Sequence, residues 1–186
     1  ILGSGEGFPA FDSVGSNTEV SAQEALEYLF ELGHHRIGLI AGLSARGKFQ
    51  MRRHSFIAFH AKHHIMLDES LIIAGEFSDQ AGYNAMKQFL SLKHPPTAVF
   101  AANDILAIGA LKAAQSLGYR VPEDVSIIGM DDIYAAATTS PALTTVMKLK
   151  LEIGVQAAQF LLARMSGGEL DAPQQIKIPC QLIVRE

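Results

Sequence analysis

The stretch from Pro96 to Asp132, PTAVFAANDILAIGALKAAQSLGYRVPEDVSIIGMDD, constrains the fold of this chain more than any other. Thr97 to Ala102 is a short apolar run rich in β-favouring residues, and Asn103 is a good N-cap for a following helix. Ile105, Leu106, Ile108, Leu111, Ala114 and Leu117 keep a helical period, and Gly118 supplies the stop. Val125 to Gly129 reads as a second buried strand, followed at once by Asp131 and Asp132. A β-α-β unit of this kind puts Asn103 and Asp131 on one edge of a parallel sheet. Beyond the carboxyl ends of such strands is where open α/β sheets bind ligands.

The rest of the chain repeats the alternation. Residues 1–16 are rich in Gly, Ser and Pro, with a weak strand signal. Val20 to Leu32 reads as an amphipathic helix that Ser21 and Glu24 would open as a capping box. The spacing then predicts a strand at Arg36–Ala41, a helix at Phe49–His64, a strand at Leu71–Ala74 and a helix at Asp79–Leu92. After the Pro96–Asp132 unit come a crossover at Leu143–Val146 and a helix at Leu151–Met165. Short strands at Gln175–Ile178 and Gln181–Val184 finish the chain. The expected class is α/β, a doubly wound parallel sheet.

The Pro96–Asp132 segment also resembles the effector domains of the LacI/GalR family of bacterial transcriptional regulators almost letter for letter. Flanking pieces agree in order: GHHRIGLIAG from Gly33, GEFSDQAGYNA from Gly75, SPALTTV from Ser140 and the closing IPCQLIVRE. The resemblance covers roughly Asn17 to Glu186. It implies a fold of periplasmic-binding-protein type, with one lobe whole and the other partial. On that pattern residues 1–19 are the first lobe's remnant and a crossover, and 20–141 the second lobe. Residues 142–170 are a crossover with a first-lobe helix, and 171–186 are closing strands returning to the second lobe. The late helix would then expose Ile153, Ala157, Phe160 and Leu161.

Four loops leave the carboxyl ends of predicted strands, carrying or leading to Arg52, Phe77, Asn103 and Asp131. Arg, Asn and Asp supply directional hydrogen bonds suited to a sugar or nucleobase, and Phe offers a stacking face. The resemblance assigns effector contacts to these four residues and, where relatives often carry an aspartate, to Asn17. Ser55 replaces the glycine that follows the arginine in the family pattern. Each residue also has a plainer reading: Asn103 or Asp131 as a helix cap, Arg52 as a solvated helix residue, Phe77 as core. Their joint placement on one edge favours the site.

Other motifs compete. Gly42 to Lys48 reads G-x-x-x-x-G-K between a strand and a helix, and SIIGMDD imitates a magnesium-holding strand end. The Ser/Thr that a P-loop needs after its lysine is Phe49, so nucleotide binding is the remote alternative. The Gly3–Gly7 run fails as G-x-G-x-x-G because position 8 is Phe. His60 and His64 share a helix face beside His63, yet lack a third ligand and read as solvated polarity. His34 and His35 stand at a helix stop that favours positive charge. No G-x-S-x-G elbow occurs, so catalysis has no candidate, and neither a cofactor nor a metal is expected.

The net charge of −4 and pI near 6.0 argue against this segment gripping nucleic acid itself. No apolar run is long enough to span a membrane. Cys180 is alone, which suits a reducing cytoplasm, and the start at Ile1 reads as a piece of a longer or processed chain. The expected function is the effector-binding and dimerisation region of a LacI/GalR-like regulator, answering to a sugar or small metabolite by hinge closure. Its partners would be that effector, operator DNA through a headpiece outside this sequence, and a second copy, met through a face that includes Ile105 and Ile108. The alternative is a periplasmic sugar-binding protein of a transporter.

Overall fold

The computed structural model describes residues 1–3, 9–42, 48–166 and 172–185, with backbone alone at 48–51. The chain forms two compact units. The larger comprises Glu19–Met147 and Leu182–Glu186, the smaller Ile1–Thr18 and Lys148–Gln181.

In the larger unit, strand β2 (Ile37–Gly42) pairs in parallel with β3 (Ile72–Gly75) on one side and β4 (Ala98–Ala101) on the other. Parallel β5 (Ser126–Met130) and β6 (Thr144–Lys148) follow, and β8 (Cys180–Ile183) ends the order β3-β2-β4-β5-β6-β8. β2 and β4 are buried along their whole length, the reason both read as continuous apolar runs. Helices α1 (Thr18–Glu31), α2 (Lys48–Lys62), α3 (Asp79–Leu90), α4 (Asp104–Ser116) and α5 (Tyr134–Thr138) connect the strands. Phe89 of α3 packs on the sheet where Gly38 leaves room: a Cβ there would lie 2.9 Å from its ring. The core closes around Met86, Phe89, Val99, Leu106, Leu111 and Ile127.

In the smaller unit, β1 (Ser13–Ser16) pairs in parallel with β7 (Gln175–Ile178), and α6 (Lys150–Met165) leans on β1. Arg164 of α6 grips Asp12 through two hydrogen bonds, at 2.8 and 2.9 Å. With the Gln174 N–H also donating to it, the Asp12 carboxyl is held far below the usual range.

Several expectations are corrected. The first helix starts at Thr18, so Ser21 lies inside it rather than opening a capping box. Residues 142–147, expected as a crossover, form part of the larger unit because β6 joins its sheet. Of the closing strands, only β8 joins the six-stranded sheet; β7 completes the smaller one. On α6, Ile153, Ala157 and Phe160 are half-buried, while Leu161 is 62% exposed together with Leu151, Leu162 and Met165.

Candidate functional site

Parallel register brings four strand ends to one edge: Gly42 is level with Gly75, Ile40 with Ala101, and Phe100 with Ile128. Phe77 follows β3 by two residues, Asn103 follows β4 by two, and Asp131 follows β5 directly. Arg52, on the second turn of α2, completes the group.

Arg52 is only 4% exposed, which overturns the solvated-helix reading. Its Nη2 lies 3.4 Å from the Met130 sulfur, over the end of β5. Burial pushes its pKa down while the charge of Asp131 pushes it back up, so guanidinium and carboxylate feel each other. Phe77 is 44% exposed and is no core residue. Its ring occupies the space a side chain at position 42 would need; only glycine at the end of β2 lets the aromatic lie there. Asn103 caps α4, its Oδ1 accepting the Leu106 N–H at 2.9 Å. The cap reading therefore holds, and it also pins the side chain at the edge. Asp131 does not stand at the cap position of α5, which is Ile133. Asp131 takes a φ of 115° and Asp132 one of 47°, while the Asp131 N–H is held by the Val146 carbonyl at 2.8 Å.

Asn17 belongs to the smaller unit, at the end of β1, where its N–H donates to the Ile178 carbonyl at 2.8 Å. Ile105 is 42% exposed on α4, and Ile108 is half-buried against the core.

Sequence reasoning passed over Asp104. It is completely buried, accepting from the Thr145 hydroxyl and, at 2.8 Å, from the Ile133 N–H. Burial pushes its carboxyl up, and the hydrogen bonds only partly offset that. The signal was the acidic residue directly after the cap, which reads more simply as a helix N-terminal charge. Asp132 pairs with Arg185 at 2.7 Å.

The histidines resolve differently from expectation. His60 is 3% exposed, not solvated: its ring packs on Phe56 at 4.3 Å and its Nδ1 meets the Phe56 carbonyl at 2.8 Å. His63 meets Glu27 at 2.8 Å, and His64 sits in the turn that ends α2. No metal-holding group of His, Cys, Asp and Glu occurs among the described residues. His34 bridges the Thr97 and Ser126 hydroxyls, each at 3.0 Å, and burial lowers its pKa, the reverse of the expected positive charge. The P-loop-like run falls on residues 43–47 and the Gly3–Gly7 run on 4–7, outside the described residues. No helix among the described residues is long and apolar enough to cross a membrane.

Residues 26–186 match the periplasmic binding protein-like domain family. The HTH-type transcriptional repressor CytR of Escherichia coli (strain K12) is 40% identical over 165 residues, 89% of this chain and 48% of that repressor. This chain thus spans about half the length of such relatives, which are transcriptional repressors rather than enzymes. The transcriptional regulator CelR–cellobiose complex matches 100% of this chain and 57% of its own, with a TM-score of 0.90 at 29% identity. The lac repressor dimer bound to operator and the anti-inducer ONPF gives 0.83 at 26% identity, over 95% and 60%.

Proposed function

This chain belongs to the LacI/GalR family, as the periplasmic binding protein-like, effector-binding domain of such a regulator, and we propose that its effector is a sugar or related polar metabolite held at the sheet edge by Arg52, Phe77, Asn103 and Asp131. The observation that carries this reading is the buried Arg52 electrostatically coupled to Asp131. A vicinal diol suits that pair: one hydroxyl accepts from the guanidinium while its neighbour donates to the carboxylate. Phe77 offers its face to the C–H side of a ring, and the Asn103 amide, its oxygen committed to the cap, supplies N–H donors. Asn17 is the contact proposed from the smaller unit.

In the full-length protein the effector stabilises one relative orientation of two lobes, shifting a pre-existing balance. That bias reaches operator DNA through a headpiece carried elsewhere in the protein. Because dimeric readers depend on half-site spacing, a homodimer using Ile105 and Ile108 belongs to the mechanism, which operates in the cytoplasm. The test is a thermal-shift screen of the full-length protein against sugars and nucleosides, repeated on Arg52→Ala. A compound that raises the melting temperature of the parent and not of the variant supports the site; an equal rise in both removes Arg52 from it.

A further inference from the structure

Asp104 joins three elements through one carboxylate. It starts α4, accepts from the Thr145 hydroxyl of β6, and accepts from the N–H of Ile133 at the entry to α5. Gly129 of β5 makes room for it, because a Cβ there would overlap Oδ1. Just before Ile133 stand Asp131 and Asp132, both at positive φ, a conformation that L side chains rarely adopt and that is costliest at the φ of 115° of Asp131. Three anchors hold the turn in it: Asp131 N–H on Val146, Asp132 on Arg185, and Ile133 N–H on Asp104.

We propose that Asp104 is a positioning residue of the effector site, fixing the strained Asp131–Asp132 turn so that Asp131 is presented toward Arg52. The assignment rests on the reading of Arg52 and Asp131 as effector contacts. Stability alone does not call for a carboxylate here. Asn103 already caps α4, and a buried charge is costly where an apolar side chain would pack. Burial together with the charges of Asp131 and Asp132 raises the pKa of Asp104, so the site keeps this group against an electrostatic cost. What it supplies is two acceptor oxygens aimed at two elements. No neutral apolar residue does that, whereas asparagine can: its oxygen accepts from Ile133 and its amide donates to the Thr145 oxygen.

The test compares full-length parent, Asp104→Ala, Asp104→Asn and Thr145→Val by amide hydrogen exchange, without ligand. Ile133 is expected to exchange about tenfold faster or more in Asp104→Ala and within a few-fold of the parent in Asp104→Asn, with β4 amides unchanged in both. Thr145→Val should give a smaller increase confined to the same turn. Unchanged Ile133 exchange in Asp104→Ala, an asparagine variant as fast as alanine, or acceleration spread through β4 would each overturn the proposal. Calorimetry with D-ribose, cellobiose and adenosine as probes forms the second arm: affinity should fall in Asp104→Ala and return in Asp104→Asn. If Arg52→Ala leaves probe affinity unchanged, the effector reading fails, while the exchange arm still decides whether Asp104 holds the turn.

Discussion

Burial at Arg52 works against its charge, while the neighbouring Asp131 pushes the other way. Lysine cannot replace it: an ammonium lacks the planar fork and sheds its proton readily when buried. Arg52→Lys should therefore weaken effector binding by about tenfold or more, most at alkaline pH, as calorimetry between pH 6 and 9 would show. Burial also dominates at His60 and depresses its pKa below the ordinary 6.5. The unfolded chain then takes up a proton that the folded one refuses, so this stabilisation is full above pH 6.5 and is lost as pH falls below it. Melting temperature should drop between pH 7 and 5, and His60→Leu should flatten that drop; an unchanged slope would exclude His60 as a source. Asn103 was legible because capping is local chemistry, written in the residues that follow it. His60 and Asp104 were not, because tertiary packing buries both, with β5, β6 and the entry to α5 around Asp104, and a helical period does not say how completely a face is covered.

Between elements, α3 and α4 meet backbone to backbone. A Cβ at Gly82 would fall on the Leu106 carbonyl, and one at Gly109 on the Asp79 carbonyl. Intrinsic propensity favours alanine over glycine in a helix by about 1 kcal/mol. Overpacking against a fixed carbonyl costs about 1–3 kcal/mol, and no side-chain rotation relieves it. Gly109→Ala should thus lower stability in urea unfolding, against its propensity; a gain would mean that the helices separate freely. Strands β2, β4 and β5 were legible within a residue or two because strands buried on both faces read as unbroken apolar runs. The positive φ of Asp131 was not, since no glycine marks it and the restraints come from β6 and α4, distant in sequence.

At the scale of the molecule, Ile105 stands exposed on α4, where the proposed homodimer would cover it. Ile105→Glu should shift the full-length protein toward monomer in sedimentation without changing its melting temperature by more than a few degrees; a dimer unaffected by that charge would place the interface elsewhere. The division into units shows how far residues alone reach: β6 resembled a crossover because one of its two neighbours, β8, comes only at the end of the chain. The most direct measurement is isothermal titration of the full-length protein, its Arg52→Ala and its Asp131→Ala variants with whichever sugar or nucleoside raises the parent's melting temperature most. The account predicts that each variant loses about 100-fold or more in affinity while keeping its fold, as expected for removing a charge-assisted hydrogen bond to the effector. Affinities equal to the parent's in both variants would contradict it.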